Sequence, residues 1–282
     1  MLDYTSFESA QKGPNLLITG AVHGNEACGT IAIRQWIDLL NSNKETILCG
    51  TVRFIPICNP RAFEKSERFI EENLNRVITP SNTPKSYEHS LAQDIITHLD
   101  WADYHLDLHS YTADDIPFAF CERNDQHLLD FVSASAPVSY IMTESDRMLA
   151  DQGITDFNCL SNYALNHDTY SFLLECGQHN SPKAPIIAYE GIKNTLAYLG
   201  MIEPCDTQRS SPTIIRSSAL FYKEKDGYLE KRWANFEPVK KGQLLATYDD
   251  GETLIAPYDC VVYLCKHDTL IGHEWFYLGC VS

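Results

Sequence analysis

Short apolar runs rich in branched residues alternate with amphipathic stretches, and this alternation constrains the fold more than any other feature. The apolar runs have the length of buried strands and occupy residues 16–20, 51–58, 104–109, 139–143 and 170–176. The amphipathic stretches have helical periodicity and occupy residues 26–40, 87–99, 125–134, 156–166 and 185–199. Strands that alternate with helices predict an α/β fold whose mostly parallel or mixed sheet is covered by helices. In such a sheet, ligands bind beyond the carboxyl ends of the strands.

The pattern changes at residues 203–212, a polar stretch bounded by prolines that we interpret as a linker. After it the chain has only strand-like segments with glycine turns, and Asp226-Gly227 and Asp250-Gly251 are hairpin signals. A length of 282 residues suggests two domains, since a chain has one domain per roughly 150 residues on average. We therefore predict an α/β domain at residues 1–207 and a small all-β domain at residues 208–282.

Charge and cysteine usage limit the classes of partner. A formal net charge of −16 argues against nucleic acid and anionic membranes, because both repel an acidic surface. The first residues lack the basic start and apolar stretch of a signal peptide, and no apolar run is long enough to span a bilayer. The ten cysteines are scattered without C-x-x-C spacing, which is typical of reduced thiols in a cytoplasmic protein.

His23 and Glu26 follow the first apolar run, at the point where the predicted strand ends. If a helix begins just after Gly20, side chains three positions apart face the same way and could bind one metal ion. A chance pair on a helix surface has the same spacing, so this short motif is weak by itself.

The segment HLDLHS at residues 105–110 resembles the end of a strand, with leucines on one face and polar residues on the other. His109 would then lie where an α/β sheet places its ligands. Together, His23, Glu26 and His109 form the set of two histidines and one carboxylate that is common in catalytic zinc sites. Asp107 could accept a hydrogen bond from a ligand imidazole. The alternative is that the segment has no metal-binding role and contains one buried, hydrogen-bonded histidine and one surface histidine.

The segment NPRAFEKSERFIEENLNR at residues 59–76 also follows a predicted strand, and Asn-Pro marks a turn. It offers Arg61, Arg68, Asn75 and Arg76. Arginine binds carboxylates through two hydrogen bonds and stabilises developing oxyanions. Interspersed glutamate and lysine residues leave open that the segment is simply a charged, solvated loop.

In the segment TYSFLLECGQHN at residues 169–180, a largely apolar strand delivers Glu175 to its end. A carboxylate at the end of a buried strand is costly unless it is paired or lies in a cleft. A glutamate with a raised pKa suits the role of general base toward a metal-activated water. Cys176 is a rival nucleophile, but it would need a histidine base aimed at it. The four segments together supply what metal-assisted amide hydrolysis requires.

The ordered motifs GAVHGNE, NPRAF, NLNR, DLHS and LECG resemble the succinylglutamate desuccinylase/aspartoacylase family of zinc carboxypeptidase-like hydrolases, over about residues 15–200. The resemblance implies a mixed-sheet, phosphorylase/hydrolase-like catalytic domain. It also implies one Zn²⁺ per chain, held by His23, Glu26 and His109.

The same resemblance assigns roles to four further residues. Arg61 of NPRAF would polarise the scissile carbonyl, and Asn75 and Arg76 of NLNR would grip the substrate carboxylate. Glu175 of LECG would activate the zinc-bound water and then protonate the leaving amine.

Family members carry a small C-terminal β domain that narrows access to the site, and residues 239–263 look like a lipoyl-type barrel-sandwich. The segment lacks the Met-Lys-Met-like tip of a carrier domain, so a swinging-arm role is rejected. Aspartoacylases use a tyrosine from this domain to contact substrate, and Tyr277 is its candidate counterpart. A core aromatic residue in a β-strand is the alternative.

Two departures from the family pattern bear on the site. Asn73 stands where the family often has aspartate, which removes a charge near a zinc histidine. Aspartoacylases also have an arginine shortly before the catalytic glutamate, whereas this chain has none between Arg147 and Arg209. N-acetylaspartate is therefore a doubtful substrate, and the pocket could prefer an uncharged group or use Lys183 or a C-terminal residue.

We expect a cytoplasmic, zinc-dependent amidohydrolase that removes the acyl group of a small N-acylated amino acid. The alternatives are a metallocarboxypeptidase acting on short peptides and a non-enzymatic binding protein on the same scaffold. No nucleic-acid or membrane partner is expected, and the sequence leaves homo-oligomerisation open.

Overall fold

The structure is a computed structural model that describes residues 2–153, 158–204 and 211–282. In its amino-terminal part, the seven strands β1 to β7 are Thr5–Glu8, Asn15–Gly20, Thr51–Ile55, Tyr104–Tyr111, Phe118–Cys121, Tyr140–Thr143 and Tyr170–Gln178. The seven helices α1 to α7 are Cys28–Asn41, Pro60–Lys65, Tyr87–Leu99, Gln126–Ser135, Ser145–Asp151, Leu160–Asn166 and Ala184–Tyr198. None of the helices in these described ranges is both long and apolar enough to cross a membrane.

A large mixed sheet forms the centre of the described molecule, as the alternation of apolar and amphipathic segments predicts. Its strand order begins β1-β3-β2-β4-β7-β5-β6. The central strands β3, β2, β4 and β7 are parallel, while β1 and β5 run antiparallel to their neighbours β3 and β7. The carboxyl ends of the parallel strands therefore lie along one edge, and the predicted site residues lie near or after these ends.

Helices cover both faces of this sheet. On one face, α1, α4 and α7 bury residues such as Trp36, Phe131 and Ile192 against Leu106 and Leu108 of β4. On the other face, α3 and α6 pack apolar residues against the opposite side of β2. The alternation predicted for β4 is confirmed, because its leucines face the first cluster and its polar residues face the other way.

Short polar side chains cap the helices that frame the site. The Asn59 side chain caps α2 and accepts a hydrogen bond from the Ala62 backbone N–H at 3.4 Å. Ser86 caps α3 in the same way, with its hydroxyl 3.0 Å from the backbone nitrogen of His89. Such caps satisfy backbone N–H groups that a helix start otherwise leaves without a partner.

Seven further strands follow residue 211. Strands β8 to β14 are Thr213–Tyr222, Gly227–Leu229, Glu237–Val239, Leu244–Tyr248, Thr253–Ile255, Cys260–Tyr263 and Glu274–Val281. Four of them continue the large sheet in the order β6-β8-β14-β13-β10, and the other three form a small sheet ordered β12-β11-β9. The regular elements of the described residues 211–282 are strands, and four of them share a sheet with the α/β part.

The predicted boundary between residues 207 and 208, like most of the predicted linker, falls within residues 205–210, outside the described residues. The hairpin at Asp250-Gly251 is confirmed, since it joins the antiparallel strands β11 and β12. The prediction of a hairpin at Asp226-Gly227 is wrong. Strands β8 and β9 precede and follow Asp226 but belong to different sheets, and β9 pairs with β11.

Candidate metal centre and active site

His23 and Glu26 lie in a tight turn between strand β2 and helix α1. The turn is closed by the Glu26 backbone N–H, which donates to the His23 carbonyl oxygen at 3.1 Å. The expectation that a helix begins just after Gly20 is wrong, because α1 begins only at Cys28. The turn, rather than helical periodicity, brings the two side chains to the same side.

Gly24, within this turn, packs directly on the backbone of helix α2. A Cβ atom built on Gly24 would lie 2.0 Å from the carbonyl carbon of Ala62, a distance that no real contact reaches. The close approach needs a glycine, and it ties the turn of the HGNE motif to the helix of the NPRAF motif.

His23, Glu26 and His109 converge as the spacing of the motifs predicts. His23 Nδ1 is 2.8 Å from Glu26 Oε1, and His109 Nδ1 is 2.9 Å from Glu26 Oε2. One ligand atom from each residue lies within 4.8 Å of the other two, and all three residues are buried. Two imidazole nitrogens and a carboxylate oxygen make a donor set that suits a zinc ion with one open position.

The outer nitrogen of each imidazole has a fixed hydrogen-bond acceptor. His23 Nε2 donates to the amide oxygen of Asn73 at 2.9 Å, and His109 Nε2 donates to Asp107 Oδ2 at 2.8 Å. With a metal ion at the centre, each ring would keep its proton on Nε2, toward these acceptors, and turn its Nδ1 lone pair to the ion. The expected contact between Asp107 and His109 is present, and Asn73 supplies a neutral acceptor where a carboxylate would supply a charged one.

The charges of the cluster favour a cation at its centre. Burial lowers the pKa of His23 to about 4, so its ring is neutral near pH 7. Burial alone would lower the pKa of His109 too, but Asp107 and Glu26 raise it well above 6.5. Burial would raise the pKa of Glu26, yet the two histidines lower it well below 4.5. The centre thus offers a lone pair, a carboxylate and a ring that strongly attracts a proton or a metal ion.

Glu175 is a buried carboxylate on strand β7, which pairs with the strand that carries His109. It lies directly opposite His109 in the register of β4 and β7, so the two side chains share one face. Burial, with a smaller effect of the Glu26 charge, raises the pKa of Glu175 to about 8. Its Oε2 atom is buried and has no hydrogen-bond partner in the described structure. An unpartnered buried oxygen is costly, which points to a ligand or water at this position.

Cys176 is not placed to act as a nucleophile. The residue is buried on the opposite face of β7, and burial raises the pKa of its thiol well above 9. Its Sγ contacts the backbone carbonyl of Leu174. A thiol without a histidine base and with a raised pKa is inert, so the hypothesis that Cys176 is a nucleophile is rejected.

Buried Glu88 in helix α3 shapes the loop at residues 66–73. Its carboxylate accepts hydrogen bonds from the backbone N–H groups of Ile70, Glu71 and Glu72, at 2.7, 3.1 and 3.2 Å. Burial alone would raise the pKa of Glu88, but these bonds and that from Asn59 lower it. One anion thus organises three consecutive peptide groups of the loop.

This loop delivers Arg68 to the metal centre. Arg68 Nη1 is 3.0 Å from Glu26 Oε1, and the Arg68 side chain lines the cavity above the centre. Arg61 does not reach the cavity: it is exposed on helix α2, and its guanidinium lies over the Tyr87 ring, 4.3 Å from the ring centroid. Arg68, rather than the predicted Arg61, is therefore the arginine of this segment that lies beside the cluster.

Asn75 and Arg76 lie in a single 3₁₀ turn, Leu74–Arg76, and both line the cavity. The Asn75 side-chain oxygen accepts from the Leu160 backbone N–H at 3.0 Å. Arg76 Nη2 lies 3.4 Å from Glu274 Oε1 of strand β14, and Lys266 Nζ lies 2.7 Å from Glu274 Oε2. The predicted carboxylate-binding pair is thus in the cavity, with a carboxylate of the C-terminal part beside it.

The cavity has a volume of about 700 Å³ and includes residues from both parts of the chain. Tyr277 of strand β14 is buried and lines it, as do Lys266 and Glu274. Lys183 does not line it, since its side chain is exposed and pairs with Asp115 at 3.4 Å.

Several residues at or near the cavity wall were not predicted from the sequence. His179 lines the cavity, with Nδ1 2.8 Å from the Ser110 hydroxyl, and Glu88 acts from below the loop. Their position in the sequence could have predicted them, because Ser110 and His179 each come shortly after a predicted site residue near a strand end. Glu88 gave no signal, because an acidic residue in the first turn of a helix is common.

Comparisons with known proteins identify the family and the relatives that this chain resembles. The catalytic-domain model of the succinylglutamate desuccinylase/aspartoacylase family matches residues 12–197. The N-alpha-acetyl-L-2,4-diaminobutyric acid deacetylase of Halomonas elongata is 28% identical over 286 residues, which cover 94% of this chain and 78% of that protein. The aspartoacylase of Danio rerio is 31% identical over 96 residues, covering 34% of this chain and 29% of that protein.

Solved structures share the fold over nearly the whole chain. The product-bound ectoine utilization protein EutE of Ruegeria pomeroyi superposes with a TM-score of 0.80 at 21% identity, covering 99% of this chain and 88% of that one. A succinylglutamate desuccinylase/aspartoacylase structure from Rhodobacter sphaeroides gives a TM-score of 0.78 at 20% identity, with 99% and 89% coverage. These similarities confirm the predicted α/β fold with its large mixed sheet.

Proposed function

The chain belongs to the succinylglutamate desuccinylase/aspartoacylase family, and from this premise we propose that it is a zinc-dependent deacylase of N-acylated amino acids. The observation that supports this best is the buried His23–Glu26–His109 cluster, which lies in the same cavity as Glu175 with its unpartnered oxygen. Zinc held by the three ligands would supply a Lewis acid and lower the pKa of a water molecule to about 7.

Glu175 acts as the general base in this proposal. Its raised pKa, about 8, is close to the range in which a carboxylate exchanges protons efficiently near neutrality. Its free Oε2 would take the proton of the attacking water and then return it to the departing amine. Arg68, beside Glu26, would stabilise the oxyanion that develops on the scissile carbonyl.

Arg76 and Asn75 are proposed to bind the α-carboxylate of the substrate. An arginine can hold a carboxylate through two hydrogen bonds, and this orients the amide relative to Glu175. Tyr277 is proposed to close the same end of the cavity from strand β14. Because C-terminal residues form part of the wall, the site suits a small substrate better than a long peptide.

The charges in the cavity wall favour a substrate with one carboxylate. Of the described wall residues, three are lysine or arginine, and each is paired with a protein carboxylate. Arg68 is paired with Glu26, whereas Arg76 and Lys266 are both paired with Glu274. Glu122 adds a further acidic group to the wall. We propose a substrate with a neutral or basic side chain, in line with the name of the diaminobutyric acid relative.

A cytoplasmic location is also proposed. Each of the nine described cysteines is a free thiol, and seven of them are buried, which agrees with a reducing compartment. A reduced cytosol keeps such thiols unpaired.

A hydrolysis screen tests the proposed function. The zinc-loaded protein is assayed with the N-acetyl derivatives of 2,4-diaminobutyrate, leucine and aspartate, with N-succinylglutamate, and with a dipeptide. We expect kcat/KM for the neutral or basic N-acetyl substrate to exceed that for N-acetylaspartate by roughly 10-fold or more, because an unpaired second carboxylate is disfavoured. A preference for N-acetylaspartate would contradict the substrate class. Cleavage of the dipeptide alone would favour a carboxypeptidase.

A further inference from the structure

A chain of buried hydrogen bonds continues from Asp107 into the sheet, away from the cavity. The Thr19 hydroxyl is 2.6 Å from Asp107 Oδ1 and 2.9 Å from His105 Nε2. His105 Nδ1 is in turn 2.8 Å from the Ser171 hydroxyl. All four residues are fully buried, so solvent does not replace any of these partners.

The register of the parallel strands brings these side chains together. Thr19 of β2 lies opposite Asp107 of β4, and His105 lies opposite Ser171 of β7. Residues at alternate positions of β4 share one face, so His105, Asp107 and His109 form a column along the strand. The column leads from the interior of the sheet to the metal centre.

Elementary chemistry fixes the direction of every hydrogen bond in the chain. A carboxylate can only accept, so the Thr19 hydroxyl donates to Asp107 Oδ1 as His109 Nε2 donates to Oδ2. The hydroxyl proton of Thr19 is then committed, and its oxygen must accept from His105 Nε2. His105 therefore has its proton on Nε2. Because burial lowers its pKa to about 4, the ring is neutral near pH 7 and its Nδ1 accepts from the Ser171 hydroxyl.

We propose that Thr19 and His105 are positioning residues of the metal site, which hold Asp107 so that it keeps the His109 proton on Nε2 and the His109 lone pair on Nδ1. The inference rests on the proposed metal centre. Neither residue touches the ligand atoms, and both act through Asp107. If Thr19 loses its hydroxyl, one carboxylate oxygen of Asp107 loses its donor and the His105 N–H loses its acceptor.

The test measures the zinc dissociation constant by competition with a chelator, in wild type and in Thr19→Val. Valine has nearly the shape of threonine and removes only the hydroxyl. Partners that touch a ligand change metal affinity by roughly 10- to 100-fold, so this more distant change is expected to weaken zinc binding about 3- to 10-fold. Thr19→Ser, which keeps the hydroxyl, should bind zinc within about 2-fold of wild type.

Thr195→Val is the matched control. Thr195 is also fully buried, but its hydroxyl has no hydrogen-bond partner in the described structure and it lies in helix α7. This variant should keep the zinc affinity of wild type. Equal zinc affinity in Thr19→Val and wild type would overturn the proposal, as would equal weakening in Thr19→Val and Thr195→Val.

A second measurement uses only the wild-type protein, so a folding defect in a variant cannot affect it. The nitrogen chemical shifts of the histidine rings report which nitrogen carries the proton, and metal-free wild type suffices for His105. The proposal requires a neutral His105 with its proton on Nε2, and a proton on Nδ1 would overturn it. If wild type binds no zinc, the proposed function fails, while this measurement still decides the direction of the chain.

Discussion

At the residue scale, the orientation of two imidazole rings determines what the centre can bind. Asn73 and Asp107 each contact a histidine Nε2, so that both Nδ1 atoms face Glu26. The acceptors differ in charge: Asp107 makes the His109 ring more basic, whereas Asn73 leaves His23 as a weaker base. A centre with one strong and one weak imidazole ligand still offers the donor set of catalytic zinc.

Arg68 and Arg61 provide a matched pair of variants at this scale. Arg68→Ala removes the cation beside Glu26 and is expected to lower kcat by roughly 100-fold, with a smaller change in KM, since one oxyanion donor typically contributes that much. Arg61→Ala, exposed on α2, should stay within about 2-fold of wild type. Steady-state kinetics on the best N-acetyl substrate measures both variants, and the zinc content of each variant is measured as well. A larger loss in Arg61→Ala would restore the original assignment.

The sequence sufficed for His23, Glu26, His109 and Glu175, because each follows an apolar run at a strand end. It did not distinguish Arg61 from Arg68, since both are arginines in one charged segment. The difference arises in three dimensions: Arg61 follows a capped helix start that points it to solvent, whereas Arg68 lies on a loop folded over the centre. Thr19 and His105, which lie next to Asp107 in the buried hydrogen-bond chain, look like ordinary strand residues in the sequence. Only the strand register brings them together.

At the element scale, short elements were the hardest to predict. Strands β1 and β5 have four residues each and helix α5 has seven, too few for a clear period. The longer helices α1, α3 and α7 were predicted, and for α3 the bounds agree at both ends. Several residues of the candidate site, such as His23, Glu26 and Arg68, lie on turns and loops, whose paths depend on tertiary contacts.

The loop at residues 66–73 illustrates such a contact, and it gives a prediction. Glu88→Gln places an amide N–H₂ group against backbone N–H donors and removes a buried anion that three of them share. We expect the free energy of unfolding to fall by about 2 kcal/mol and the amides of Ile70, Glu71 and Glu72 to exchange faster. Urea unfolding and hydrogen exchange measure the two effects. Glu64→Gln, exposed on α2, is the control and should change stability by less than about 0.5 kcal/mol.

At the scale of the whole molecule, four of the seven described C-terminal strands continue the central sheet, and the other three form a small sheet of their own. Strand β8 pairs with β6, and a shared cluster packs Phe118 and Met142 of the α/β part against Ile215, Tyr263 and Tyr277 of the C-terminal part. The C-terminal part also has its own apolar cluster around Trp275. The sequence signals two kinds of structure, but sheet continuity depends on pairing between distant segments.

Glu274 links the two parts electrostatically, and its link depends on pH. Burial alone would raise the pKa of Glu274, but Lys266 and Arg76 lower it to about 2 from an ordinary value of 4.5. The folded pKa is the lower one, so the contribution is present above pH 4.5 and is lost as the pH falls from 4.5 toward 2. It amounts to about 3 kcal/mol at most.

Metal-free wild type should therefore exceed Glu274→Gln in unfolding free energy at a pH near 6.5, and the difference should shrink near pH 3. Urea unfolding of both proteins at the two pH values measures it. Glu252→Gln, which breaks an exposed pair with Lys225, should show a difference below about 1 kcal/mol at either pH. A Glu274→Gln difference that is the same at both pH values would contradict the shifted pKa.

The central claim is that this chain hydrolyses an N-acyl amino acid with zinc at His23, Glu26 and His109 and with Glu175 as base. Turnover measured against zinc occupancy, from metal-free to fully loaded protein, tests it most directly. The rate should rise in proportion to bound zinc and level off at about one zinc per chain. Fully loaded Glu175→Ala should turn over roughly 100-fold slower or worse. Full turnover by the metal-free protein, or by loaded Glu175→Ala, would contradict the account.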